Sequence, residues 1–437
     1  MKLISRMLPL TAALLLAGAA QAQDASRFKS EVAGQVDGMY PKLDALYKDL
    51  HEHPEISFQE VQTAAKLAAE MRALGFEVTE KVGQTGLVAI YKNGAGPTVM
   101  VRTELDALPM EEKTGLPYAS KAHAQLNGRD TMVTHSCGHD VHMASWIGTA
   151  RTLVAMKGKW KGTLMFIAQP AEEIGAGARA MVADGLFTRF PKPDYAFALH
   201  SWPNPYGTVG YESGPVSSTS DGLEIVFKGR GGHGSAPDQS IDPIAIAAHF
   251  ITDVQTVVSR EKNPKEFGVV TIGAISGGTV GNIIPDSVTL RGTIRTYNAD
   301  VRTKILDGVR RTANAAAMMA GAPAPDVQLI ANGQAIINTD KVVQSTEVIL
   351  KKAFGDKAFR MPAMTASEDF SVFVNEGVPS MFFFTGIYDP KDVEASKAPG
   401  GKPLAFNHSP FYAPVPEPSI KTGVQAMSLA VLNVMAR

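Results

Sequence analysis

In the run His135-Ser136-Cys137-Gly138-His139-Asp140-Val141-His142 a cysteine and a histidine stand two residues apart. On an extended backbone such residues face the same way, so both side chains could reach one ion. Thiolate and imidazole are ligands that a borderline-soft metal such as zinc prefers. A buried cysteine beside a surface histidine cluster would look the same. A second cluster, Gln169-Pro170-Ala171-Glu172-Glu173, follows an apolar run over 163–167. Adjacent carboxylates just past a strand end point in different directions, so one could bind a metal while its neighbour carries a proton. Metal-assisted hydrolysis requires that division. An acidic pair at a helix start, complementing the helix dipole, is the competing reading.

Other candidates occupy matching positions. Glu104 and Asp106 follow the apolar run that ends at Val101, and His200 follows the one that ends at Leu199. Ligands of open α/β sheets gather outside the carboxyl ends of strands. Glu104, Asp106, Glu172, Glu173 and His200 could therefore share one rim, although each alone reads as a surface or capping residue. His408 lies in a turn-like stretch between Phe406 and Phe411, where a packed loop histidine is the plain reading. Glycine-rich turns surround His233 and precede Asn282; they would let backbone approach a ligand, or simply close hairpins.

The elements that must carry these residues follow from periodicity. Tyr40, Leu43, Leu46, Tyr47 and Leu50 recur at helical spacing, as do Leu67, Met71 and Leu74. Short apolar runs at 86–91, 98–101, 163–167 and 195–199 read as buried strands, and helix-like segments at 142–156 and 175–186 lie between them. Alternating strand and helix predict an α/β domain with a mostly parallel sheet flanked by helices. Between about 221 and 332 the order becomes strand 223–228, helix 243–260, strands 268–275 and 288–297, helix 299–320 and strand 326–330. That β-α-β-β-α-β order is the ferredoxin-like α+β pattern, inserted into the first domain. The expected division is therefore 23–214 with 333–437 for the discontinuous catalytic domain and 215–332 for the inserted lid, with hinges at 213–220 and 332–334. After the insertion come a helix at 341–354, a strand at 381–385, a polar surface loop at 390–403 and a closing helix at 418–435.

A chain of 437 residues favours two cores over one. A net charge of -1 leaves no basic field to hold nucleic acid or an acidic membrane surface. A small-molecule substrate fits better. Lys2 and Arg6 precede an apolar run over 7–17, and Ala20-Gln21-Ala22 offers small residues for cleavage. Residues 1–22 thus read as a signal peptide, too short in its apolar run to span a bilayer, and the mature chain would be exported without a membrane anchor. Cys137 is the chain's single cysteine, so no intramolecular disulfide can form. A lone thiol in an oxidising compartment suggests metal ligation, or simple burial.

Taken together, RTELDALP at 102–109, CGHD at 137–140, PAEE at 170–173, LH at 199–200, GGH at 231–233, NIIPD at 282–286, GTIRT at 292–296, SEDF at 367–370 and HSP at 408–410 resemble the amidohydrolase branch of the aminoacylase and carboxypeptidase G metallopeptidase family, which includes hippurate and auxin-conjugate hydrolases. The likeness runs from about residue 37 to the C-terminus. It implies a two-metal catalytic domain with an inserted lid, and hydrolysis of the amide bond of N-acyl amino acids. By motif, Cys137, His139, Glu173, His200 and His408 would be the metal ligands and Glu172 the general base. His233 would steady the oxyanion, and Asn282 and Arg295 would hold the substrate carboxylate. Zinc is the first choice of divalent ion, with manganese, cobalt or nickel as alternatives. The lid could support a homo-oligomer. The family usually has Asp where this chain has Glu104, so the function of that position is left open. A dipeptidase or carboxypeptidase on the same scaffold is the nearest rival reading, and a non-catalytic periplasmic metal- or solute-binding protein the more distant one.

Overall fold

The computed structural model describes residues 24–436, so the leader expected at 1–22 lies outside the described residues. Its larger sheet begins with β1 (Glu77–Val82), β2 (Gly86–Lys92), β3 (Thr98–Glu104), β4 (Thr163–Gln169), β5 (Tyr195–Pro205) and β6 (Val209–Tyr211). The chain then builds a second sheet from β7 (Ser220–Lys228), β8 (Gly268–Ser276), β9 (Ser287–Thr296) and β10 (Asp326–Gly333) before β11 (Ala358–Arg360) and β12 (Ser380–Tyr388) return to the first.

The larger sheet has the order β1-β2-β4-β3-β5-β12-β6-β11. Its four central strands, β4, β3, β5 and β12, are parallel, with Val101 opposite both Phe166 and Phe197 and Ala198 opposite Phe382. Antiparallel pairing is confined to the flanks. Residue parity explains why the central strands read as unbroken apolar runs. Val99, Val101, Leu164, Phe166, Phe197 and Phe383 pack to one face under helices α1 (Lys29–Glu52), α2 (His139–Ala155) and α5 (Pro416–Met435), whereas Met100, Met165, Ile167, Ala198 and Phe382 pack to the other. A sheet buried on both sides needs apolar residues at every position. All nine residues of β12 are buried accordingly.

The second sheet is wholly antiparallel in the order β8-β9-β7-β10, with α3 (Pro243–Asp253) and α4 (Ala299–Met319) packed against it. This is the ferredoxin-like arrangement. Its core is separate: Leu223, Ile225 and Phe227, alternating along β7, meet Phe250, Ile294, Ile305 and Val309. The two connections to it run side by side, Gly214–Pro215 pairing antiparallel with Ile337–Asn338.

Three local expectations change, and one strand was not expected. The segment at 390–403 is not all loop, because Asp389 accepts from the Lys391 N–H and caps a helix over Pro390–Lys397 with proline in its first turn. The expected helix at 175–186 is two short ones, Gly177–Ala183 and Leu186–Arg189, separated at Gly185. The α-helix expected to run to 260 stops at Asp253 and ends in a π turn, Val257–Glu261. Strand β1, polar and half exposed, carries no apolar run that would announce it.

Candidate metal centre

Cys137 and His139 do not share an extended segment. Gly138 adopts the left-handed conformation (φ 86°), and a Cβ there would lie 2.3 Å from Ser201 Oγ. Only glycine fits that corner. The chain therefore turns at Cys137, and His139 opens α2 three residues before the expected helix start at 142. Trp146, two turns further along, donates its indole N–H to the Val101 carbonyl at 3.0 Å and fixes the helix against β3.

The turn and first residue of α2 (Cys137, His139), the turn after β4 (Glu173), strand β5 (His200) and a late loop (His408) then bring the five ligand candidates together. Cys137 Sγ lies 3.5 Å from His200 Nε2, and His408 Nε2 lies 3.3 Å from Glu173 Oε2. His139 Nε2 is 3.8 Å from Glu172 and 3.9 Å from Glu173. Potential ligand atoms of Cys137, His139 and His200 lie within 4.8 Å of one another, and so do those of Cys137, Glu173 and His408. The two groups share the thiol.

Hydrogen bonding sets the imidazoles for ligation. His139 Nδ1 donates to the Asp106 carbonyl (2.6 Å) and His200 Nδ1 to the Ser201 carbonyl (2.8 Å). Each ring thus keeps its Nε2 lone pair for the cluster. His139 Nε2 and Glu173 Oε1 are buried with no hydrogen-bond partner among the described residues. Burial holds the His139 imidazole well below its usual range and brings His200 down to about 3. Burial, then the Glu173 carboxylate, pushes the Cys137 thiol well up, and burial with neighbouring acids does the same to Glu172 and Glu173. A buried set of neutral imidazoles and acids that repel one another's charge is what a divalent cation satisfies. The donor set of thiolate, imidazole and carboxylate fits zinc and its first-row neighbours.

Glu104 and Asp106 are fully buried, so they do not reach the rim where the strand-end pattern put them. They lie beneath it. Asp106 accepts the backbone N–H groups of both Glu172 and Glu173 at 3.0 Å, together with the Ser57 hydroxyl at 2.7 Å, and so holds the turn that presents the two glutamates. Glu104 bridges Arg102 and His142 Nδ1 (3.0 Å), whose Nε2 in turn accepts the Ser201 N–H at 2.7 Å. Burial alone would raise the Glu104 carboxyl, but Arg102 and then His142 hold it well below the usual carboxylate range.

Several supporting residues had been given no function from the sequence. Buried Arg102 gathers Gln169 (2.9 Å), Glu368 (2.7 Å) and Asp369 (3.2 Å). Glu60, buried beside Asp106, accepts the Ala171 N–H at 2.8 Å. Asn407 reaches the Cys137 carbonyl at 3.2 Å from the residue before His408. Pairings across more than 200 residues leave no periodicity. The RTELDALP and SEDF strings and the cluster opened by Gln169 held Arg102, Glu368, Asp369 and Gln169, while Glu60 and Asn407 lay outside every string.

Above the cluster opens a cleft of about 760 Å³, within the range of roughly 300–1,000 Å³ common for small-molecule sites. Cys137, Glu172, Glu173, His200 and His408 line it, and Arg295 enters it from β9. His233 and Asn282 do not line it. They lie together at a separate two-stranded ribbon, Gly232–His233 paired with Ile283–Ile284, where the Gly234 N–H donates to the Asn282 carbonyl at 2.8 Å, and both are exposed.

Residues 100–433 match the model of peptidase family M20/M25/M40. The chain is 36% identical over 355 residues to an N-acetylcysteine deacetylase of Bacillus subtilis, covering 79% of this chain and 88% of that protein. It is 35% identical over 340 residues to a hippurate hydrolase of Campylobacter jejuni, covering 76% and 85%. Among solved structures, the YXEP protein of Bacillus subtilis, a dinuclear metal-binding peptidase of the M20 family, superposes with a TM-score of 0.75 at 30% identity, covering 91% of this chain and 99% of that one.

Proposed function

Because this chain belongs to peptidase family M20/M25/M40, we propose that it hydrolyses the amide bond of N-acyl amino acids, releasing a carboxylic acid and an amino acid. One observation carries the reading: two groups of ligand atoms converge on the single thiol, with the carboxylate of Glu172 beside them and an open cleft above. Cys137, His139, Glu173, His200 and His408 would hold two divalent ions, which when bound polarise the amide carbonyl and acidify water.

The chain's own groups supply the rest. Glu172 lines the cleft and has its backbone N–H tied to Asp106. It takes a proton from the attacking water as the oxygen bonds to the carbonyl carbon. It returns that proton to the nitrogen as the C–N bond breaks. Arg295 receives the carboxylate of the amino-acid half with a guanidinium fork.

In the same reading, residues 215–332 act as a lid on the catalytic part. His233 and Asn282 would come to the cleft by movement of that lid or from a second copy. The mature protein works after export. Incubating purified protein with N-acetyl amino acids, N-benzoyl amino acids and dipeptides, with and without a chelator, should release amino acid from the first two only when metal is retained. No release with any of several divalent ions overturns the proposal.

A further inference from the structure

The lining of the cleft above the cluster is both polar and aromatic. Arg295, Asn332 and Thr365 are among its polar residues, and Trp202 and Phe406 are its aromatic ones. His200 and Trp202 stand two apart on β5 and so share a face of the sheet, and Phe406 stands two residues before His408 in the loop. Each of these two ligand candidates therefore has an aromatic residue beside it. The two rings meet edge to face, with centroids 4.9 Å apart and planes at 84°. Behind Trp202 lies Phe384, 5.2 Å away on β12, which roots the indole in the buried sheet. Phe406 is 50% exposed and Ile174, beside Glu173, is 62% exposed, both at the cleft. Exposed apolar side chains edging a buried polar floor mark a surface that a ligand covers.

From this we infer that the Trp202–Phe406 wall is the acyl subsite, and that it selects N-acyl amino acids whose acyl group carries an aromatic ring over those with a short acyl group. The inference rests on the amide-hydrolase reading above. Once the amino-acid carboxylate lies at Arg295 and the scissile carbonyl lies over the cluster, the acyl group is directed away from Arg295 and onto the wall. A ring held there meets two aromatic side chains set edge to face, whereas an acetyl group leaves Phe406 in water. Edge-to-face aromatic contact adds to the gain from burial alone.

The test compares N-benzoylglycine, N-acetylglycine and N-acetylphenylalanine. For the unmodified enzyme the ratio of kcat/KM for N-benzoylglycine over N-acetylglycine should be large, and Phe406→Ala should lower it by at least about tenfold. Metal content, measured by elemental analysis, should stay unchanged. A direct binding readout comes from fluorescence, because Trp146 and Trp160 are buried and Trp202 alone of the three tryptophans lines the cleft. On a Glu172→Gln background, N-benzoylglycine should quench emission, Trp202→Phe should abolish the change, and Phe406→Ala should weaken it at least about tenfold. An unchanged ratio in Phe406→Ala with full metal overturns the proposal. So does a variant that loses preference for N-acetylphenylalanine in place of N-benzoylglycine, since the wall would then hold the amino-acid side chain. If no substrate is turned over yet quenching depends on Trp202 and Phe406, the hydrolase reading fails and the aromatic subsite stands; turnover without quenching overturns the subsite and leaves the hydrolase reading standing.

Discussion

Cys137 Sγ is the atom that both ligand groups share, whereas Glu172 stands beside them, so substitutions at these two positions should part company. Glu172→Gln keeps the side chain's size and removes its basicity. It should retain metal by elemental analysis while turnover falls by about 10²–10⁴; near wild-type turnover would remove Glu172 from the proton-carrying role. Cys137→Ala should lose metal itself, and activity with it. Glu104 tests the support beneath the cluster. Its carboxylate spans from Arg102 to His142 Nδ1, and shortening it in Glu104→Asp should leave that buried N–H without an acceptor. The expected cost is about 1–3 kcal/mol in urea unfolding. Unchanged stability would mean that the surroundings close up around the shorter side chain. The family's more usual Asp at this position would need such a closure to serve the same partner.

At the scale of elements, the placement of α2 matters most, because it begins with a ligand candidate and its first turn is tied down from outside the sheet. Asp140, next to His139, pairs with His51 Nδ1 of α1 at 2.6 Å, and Glu112 meets the other ring nitrogen at 3.2 Å. Burial alone would lower the His51 pKa, but Asp140 and Glu112 outweigh it and raise the value from 6.5 to about 10. The folded chain therefore holds this proton more tightly than the unfolded one. The stabilisation is fully present below pH 6.5 and is lost as pH rises through about 10. Thermal melting should fall across that window, and His51→Gln should flatten the fall while costing about 3–5 kcal/mol at neutral pH by stranding two buried carboxylates. A melting temperature with the same slope in both proteins would refute the tie. The elements themselves were largely legible in the sequence, since doubly buried strands are continuous apolar runs and α1 keeps its helical spacing. The candidate ligands stood out as compact strings, all but His200 at turns or a helix start. Their geometry was not legible. A left-handed glycine replaces the extended Cys-x-His segment, and the acids around Arg102 come from 266 and 267 residues further on, where only tertiary contact makes them neighbours. Glu104 and Asp106 had the right chemistry for the rim, but both are buried beneath it, Asp106 holding the turn of Glu172 and Glu173 and Glu104 bracing His142 of α2.

For the whole molecule the question is how two cores are coupled. The second sheet is stabilised by its own cluster around Phe227 and Phe250, and its entering and leaving strands pair at Gly214–Pro215 and Ile337–Asn338. Because the two connections already lie side by side, replacing residues 219–334 by a short Gly/Ser linker closes a small gap and leaves the central sheet and the five ligand candidates in place. The cost of such closure grows only slowly with linker length. Some contacts are lost, among them the Tyr297 hydroxyl to the Ala363 carbonyl at 2.9 Å. None of them belongs to the ligand groups. The shortened chain should therefore unfold cooperatively and still bind metal, measured by calorimetry and elemental analysis. Its melting temperature should rise with added zinc or manganese as in the full chain, since a ligand that binds only the folded state stabilises it by mass action. Its kcat/KM on N-acyl amino acids should fall by at least about 10²-fold, because Arg295 leaves with the second sheet and a charged hydrogen bond to a carboxylate contributes on the order of 3 kcal/mol. Loss of metal binding on excision would show instead that the second sheet shapes the cluster itself, and that the two cores do not divide the work between holding the ions and holding the substrate.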